Sequence, residues 1–192
     1  PAIAFGTTGQ VTIQGVGGTA AFGQAFNSSQ FGLNANSQTM SGFTFGSPAN
    51  TQKLTIDQSL TVAGPITVYG EAIDVNSNLT STTENALTLR SNGNITTQAN
   101  TSIQTNNGSV IFWADADANN SGAITLGDNA TINTANGSTA SGLTGGGNIV
   151  LAGGADDGSN GGVALDGIPD GFAISATTNG IKLGTTTANT TT

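Results

Sequence analysis

The chain has no cysteine, no histidine and only three basic side chains, Lys53, Arg90 and Lys182. Without cysteine there are no disulfides, so stability must come from backbone hydrogen bonds and side-chain packing. Without histidine or cysteine, Ser–His and Cys–His nucleophilic chemistry and histidine-based zinc sites are excluded. Three cations against eleven acids leave a net charge of −8. That balance removes the phosphate-neutralising surface that nucleic-acid binding needs, and the attraction to an anionic membrane. No apolar run approaches the roughly 18 residues of a membrane span, so membrane insertion is not expected. No charged n-region followed by an apolar h-region opens the chain, and a start at Pro1 reads as a processed or partial chain.

Charge is scarce altogether. Acidic and basic residues make up 7% of the 192 residues, against roughly 25% in an ordinary soluble domain. The surface must be built from hydroxyls and amides, a composition that suits an extracellular repeat protein. Glycine, at 29 residues, and the abundant Asn, Ser and Thr would fit disorder, but regular β-branched runs argue for order.

Those runs are the main signal. Ile66-Thr67-Val68, Ile73-Asp74-Val75, Leu87-Thr88-Leu89, Ile95-Thr96-Thr97, Ile103-Gln104-Thr105, Val110-Ile111-Phe112, Ile124-Thr125-Leu126, Ile132-Asn133-Thr134 and Ile149-Val150-Leu151 repeat one phrase. Their first residues lie 7, 14, 8, 8, 7, 14, 8 and 17 apart. Strands this short cannot bury a face alone, but stacked copies can. Ile66, Leu87 and Val110, 21 and 23 residues apart, read as equivalent positions. Three short strands per coil is the arithmetic of an all-β parallel β-helix, a β-solenoid. At roughly 22 residues per coil and ~4.8 Å per rung, the repeat body predicts about 4 to 6 coils and about 20–30 Å of rod. Asn and Gly belong at the corners, where left-handed geometry is cheap.

The organisation reads as three parts: 1–50, 51–184 and 185–192. The first holds six of the eight phenylalanines. Phe5, Phe22, Phe26 and Phe31 mark it either as a cap over the open solenoid end or as an assembly element that engages a neighbouring copy. Val11-Thr12-Ile13 reads as a strand, and Ala20 to Phe26 as one or two helical turns. The middle part is the β-helix, looser after residue 152. The last is a polar, Thr-rich tail.

The phrases Gly64-Pro65-Ile66-Thr67-Val68-Tyr69-Gly70, Gly93-Asn94-Ile95-Thr96, Gly108-Ser109-Val110-Ile111-Phe112-Trp113-Ala114-Asp115-Ala116-Asp117 and Gly145-Gly146-Gly147-Asn148-Ile149-Val150-Leu151-Ala152-Gly153 come in this order. Roughly residues 50–155 thereby resemble the passenger repeats of filamentous haemagglutinin-like large bacterial adhesins and exoproteins. The resemblance implies a right-handed β-helix, export, and a place on the surface of, or outside, a Gram-negative-type bacterium. The Asn-Pro motifs of that family's secretion module are absent. Such repeats are scaffolds, so no catalytic residue carries over.

Candidate binding chemistry is sparse. Asp115, Asp117 and Asn119 alternate like the opening of an oxygen-ligand calcium loop, and Asp128 is the next acid. Gly122 and Asp128 fall at the wrong offsets for an EF-hand, and the other reading is a solvated loop between coils. Asp156 and Asp157 open a second acidic stretch that runs to Asp170. Calcium is the only cofactor these patterns point to. Trp113, outward by alternation if Phe112 is inward, and Tyr69 are candidates for stacking on a sugar ring; the other reading of Trp113 is a shield over a corner loop. An enzyme acting on a polysaccharide would need a pair such as Glu71 and Asp74, or Asp115 and Asp117, and nothing singles either out. The expected role is an extracellular structural or adhesive segment facing surface or matrix glycans. The alternative is a self-assembling filament subunit, stacked head to tail.

Overall fold

The computed structural model describes residues 8–16, 21–31, 39–135, 146–173 and 180–183. Its strands, in chain order, are β1 (Gln10–Ile13), β2 (Phe26–Asn27), β3 (Gly42–Phe45), β4 (Leu54–Ile56) and β5 (Leu60–Val62). They continue with β6 (Ile66–Gly70), β7 (Ile73–Val75), β8 (Leu79–Ser81), β9 (Leu87–Ser91) and β10 (Ile95–Thr97). The last are β11 (Ser102–Gln104), β12 (Val110–Ala114), β13 (Ile124–Thr125), β14 (Thr131–Asn133), β15 (Ile149–Gly153) and β16 (Ile181–Lys182). They form three parallel sheets. Sheet A runs β1-β3-β6-β9-β12-β15, sheet B runs β2-β4-β7-β10-β13-β16, and sheet C runs β5-β8-β11-β14. From β3 to β14 each coil visits A, B and C in turn, so the molecule is the parallel β-helix that the period predicts.

The register explains the sequence pattern. Phe43, Ile66, Leu87, Val110 and Ile149 are Cα partners on successive rungs of sheet A. Phe45, Val68, Leu89, Phe112 and Leu151 form a second such ladder. Sheet B stacks Leu54, Ile73, Ile95, Ile124 and Ile181, and sheet C stacks Leu60, Leu79, Ile103 and Ile132. A one-residue slip in any strand would turn its aliphatic set outward, so the buried interior enforces the register. The predicted equivalence of Ile66, Leu87 and Val110 is the observed pairing.

Hydroxyls close the corners. Ser91 Oγ donates to Glu71 O at 2.9 Å and Ser81 Oγ to Gly64 O at 2.9 Å. Thr134 Oγ1 donates to Gly147 O at 2.8 Å. These residues are buried, and each finds its own acceptor in a carbonyl of the turn. At Gly108 the coils approach so closely that a Cβ would sit 1.9 Å from Asn85 O.

The N-terminal part differs from its expected form. β1, β2 and β3 continue the sheets of the repeat body, so the stack shows no break at residue 51. The turns of helix expected between Ala20 and Phe26 are not present among the described residues. The backbone donors there go to the neighbouring coil instead, Phe22 N–H to Asn50 Oδ1 at 3.3 Å and Phe26 N–H to Lys53 O at 3.1 Å. Gly23 also weakens any helix at this point.

Phe112 is fully buried in the middle of its ladder. Phe112→Ala should lower stability by about 3–5 kcal/mol, while Thr88→Ala on the outward face should change it by about 0.5 kcal/mol or less. Denaturant unfolding of both variants checks the contrast.

Candidate functional site

The order of the sheets decides which loops meet. Every A-to-B connection emerges at one corner of the rod. The segments between β12 and β13 and between β15 and β16 are both A-to-B connections on adjacent rungs. The two acidic stretches therefore leave the rod at the same corner. Asp115, Asp117 and Asn119 are in the first, and Asp156 and Asp157 in the second.

Asp128 does not join them. β13 carries the chain across sheet B first, and Asp128 lies at the next corner, where its carbonyl accepts the Asn100 N–H at 2.8 Å. The calcium-loop spacing was counted through residues that turn out to be a strand.

The remaining carboxylates are engaged locally. Asp115 is buried with φ 51°, and its Oδ1 accepts Ser121 N–H at 3.3 Å. Asp117 Oδ2 accepts Asn119 Nδ2–H at 2.8 Å. Asp156 accepts Asp166 N–H at 3.2 Å on Oδ1 and Gly167 N–H at 2.9 Å on Oδ2. Asp157 Oδ1 accepts Ser159 N–H at 3.0 Å, and the Ser159 hydroxyl and amide together hold its carboxyl below the usual range. Asp170 Oδ2 accepts Gly158 N–H at 2.6 Å. These acids tie their own loops together, Asp157 by an Asx-type bond. Among the described residues no three acidic, His or Cys side chains converge on one point, so calcium at this corner rests on sequence spacing alone.

The two stacking aromatics share one outward column of sheet A. Tyr69, Arg90, Trp113 and Ala152 are partners on successive rungs. The alternation that sets Trp113 opposite to Phe112 holds, but the indole is not a free platform. It is only 5% exposed. Its Nε1–H donates to Gly154 O at 2.7 Å, and the Arg90 guanidinium lies 4.1 Å from the ring centroid. Arg90 lies over one face and Gly154 O takes the indole N–H at the ring edge, so Trp113 is packed into the corner. Tyr69 is half-buried. Alongside runs a column of Thr12, Thr44, Thr67 and Thr88, one hydroxyl per rung, continued by Ile111 and Val150.

Of the assembly candidates, Phe5 lies outside the described residues. Phe22, Phe26 and Phe31 join Phe45 in one ring cluster, with centroids 4.8 Å (Phe22–Phe26), 5.7 Å (Phe22–Phe45 and Phe26–Phe31) and 5.8 Å (Phe31–Phe45) apart. The cluster packs onto the first coils from inside. The pairs considered for hydrolysis are not isolated either. Asp74 is ion-paired with Lys53 at 2.5 Å, and Glu71 Oε2 accepts Asn92 Nδ2–H at 3.4 Å.

Two polar anchors had no signal in the sequence. Asn50 is buried; its Nδ2 donates to Gln52 O at 3.1 Å and to Tyr69 O at 3.0 Å, while its Oδ1 accepts Phe22 N–H and Gln52 N–H. Asp57, at the corner after β4, accepts Ser28 Oγ–H at 2.8 Å and Ser29 N–H at 2.7 Å on Oδ1, and Ser29 Oγ–H on Oδ2. It latches the 3-10 turn Ser28–Phe31 to the second coil. Each anchor spans about 20 to 30 residues of chain, so no local motif announces it.

No family model, no curated protein and no solved structure matches this chain.

Burial pushes the Asp57 carboxyl up, but the Ser29 hydroxyl, the Ser29 amide and the Ser28 hydroxyl together outweigh it, and its pKa falls below the ordinary 3.8. A depressed folded-state pKa stabilises the fold above the unfolded value and ceases to do so as pH drops through the folded value. Protection of the amides at residues 26–31, taken relative to intrinsic exchange at each pH, should therefore fall only as the pH drops below the ordinary 3.8. In Asp57→Ala exchange there should be fast already at neutral pH, and unchanged exchange in that variant would remove the latch.

Proposed function

We propose that this chain is a structural segment of a protein displayed outside the cell, a rod that spans distance and presents surface. One observation carries the reading: ladders of aliphatic and aromatic residues run unbroken through successive coils, while most outward positions carry neutral side chains, threonine above all. A solenoid stacked this way is stiff along its axis, because each coil contacts only its neighbours and each contact is a full cross-section of core. The likeness of residues 50–155 to filamentous haemagglutinin-like passenger repeats supports export and surface display.

The adhesive part of the reading belongs to the outward face of sheet A. There the Thr12–Thr44–Thr67–Thr88 column lies beside Tyr69 and Arg90. Among the described residues Arg90 has no carboxylate partner within ion-pair distance. A face of hydroxyls, one half-buried aromatic ring and one cation is chemically suited to a glycan. Trp113 contributes by holding Arg90 in place.

Antibodies raised against the purified chain test the placement. Labelling of intact, unpermeabilised source cells, or recovery from the medium, is the expected result. Labelling that requires permeabilisation contradicts it.

A further inference from the structure

Among the described residues, Arg90 is the one cation that is fixed by packing and has no counter-charge. Lys53 is paired with Asp74 at 2.5 Å, and Lys182 is exposed on the last strand of sheet B. The Arg90 guanidinium lies over the Trp113 ring, 4.1 Å from its centroid. Trp113 is itself buried and anchored by its Nε1–H on Gly154 O. Stacking uses the face of a guanidinium and leaves its in-plane N–H fork unspent. Among the described residues no carboxylate pairs with that fork. The acids that follow on these strands are engaged elsewhere: Glu71 accepts Asn92 Nδ2–H, and buried Asp115 accepts Ser121 N–H.

We infer that this column is a subsite for the acidic sugar of a glycan, with Arg90 taking the carboxylate and Tyr69 the apolar face of the sugar ring. The inference rests on the adhesive reading of sheet A and adds the chemical class of the ligand. Tyr69 is the register partner of Arg90 on the preceding rung, so the two side chains start about 5 Å apart. A carboxylate matches the two parallel N–H bonds of a guanidinium fork. Thr67 and Thr88 are partners on the same two rungs, two residues back in each strand and on the same face. Their hydroxyls can serve the neighbouring sugar. An acidic peptide is the poorer fit. Extended peptides bind by adding to a sheet edge, and β6, β9 and β12 all lie inside sheet A with strands on both sides. The charge of the chain narrows the ligand further. At −8 overall, and with Arg90 the single cation on the strands of sheet A, the protein repels a densely charged polymer. The ligand therefore carries its carboxylates sparsely, among neutral sugars.

Titration of the full chain with a hyaluronan tetrasaccharide, which carries a glucuronate on every second sugar, and with its methyl ester tests this. Trp113 is the only tryptophan, so its fluorescence reports on the Arg90 site directly, and calorimetry measures the same affinity independently. The wild type should bind the acid about tenfold or more tighter than the ester. Binding should change the Trp113 emission and weaken as salt rises. Arg90→Gln should lose the preference for the acid, and Arg90→Lys should keep only part of it, because a point charge replaces the fork. Lys182→Gln, on sheet B, should leave it unchanged. Retention of the preference in a folded Arg90→Gln overturns the inference. So does equal binding of a tetraglutamate peptide, since charge alone would then suffice. Equal binding of acid and ester, or of neutral maltotetraose, overturns it while leaving the adhesive reading in place; binding of none of these sugars overturns both. If circular dichroism shows Arg90→Gln unfolded, the acid–ester comparison on the wild type decides alone.

Discussion

The fold depends on in-register stacking of parallel strands with identical inward positions. Each rung places an aliphatic or aromatic side chain directly on its equivalent one coil below, and the same registry aligns the backbone hydrogen bonds. Neither is stable alone. A strand of three residues, such as Ile73–Val75 or Ile95–Thr97, buries too little to hold its place. Stacked between two copies, it shares a continuous core and has partners on both edges. The scarcity of charge follows, since outward side chains are also stacked at close spacing and like charges on successive rungs would repel.

The same geometry sorts the corners. Side chains at equivalent corner positions become neighbours, so Asn129 Nδ2 reaches Asn100 Oδ1 at 3.3 Å across coils. Asn100 and Asn129 both adopt positive φ, 62° and 58°, a conformation asparagine tolerates better than most residues. Insertions collect where a long connection does not disturb the ladders. The A-to-B corner carries both long acidic loops and therefore most of the acidic charge beyond residue 100. The flat faces carry few charges: Asp74, Arg90 and Lys182.

Much of this was legible because the inward positions are chemically uniform. The equivalence of Ile66, Leu87 and Val110 could be read directly from spacing. Leu79–Ser81 is missing from the runs, and the 14-residue step from Ile73 to Leu87 hides it. The gap from Val110 to Ile124 has the same length and is a loop. Spacing cannot separate a polar-ended strand from an insertion. The N-terminal coils were hidden for a related reason. Phenylalanine at Phe43 and Phe45 broke the aliphatic pattern while occupying the same ladder positions. The acidic corner was half legible: the residues were visible, but their meeting depends on topology, and Asp128 was grouped with Asp115 across an intervening strand. Trp113 was placed on its correct face, but its cover comes from Arg90 and Gly154, one of them forty-one positions away. Long-range anchors such as Asn50 and Asp57 have no local signature at all.

Register is the claim on which the rest stands, and a chain without native cysteine allows it to be read chemically. Thr67 and Thr88 are outward partners on adjacent rungs of sheet A, while Ile111 is one rung further on from Thr88. Paired cysteines at positions 67 and 88 should form a disulfide readily under mild oxidation, because neighbouring strands bring their Cα atoms to about 5 Å. Cysteines at 67 and 111, two rungs apart at about 10 Å, should not. Cross-linking of the second pair but not the first would contradict the parallel in-register stack.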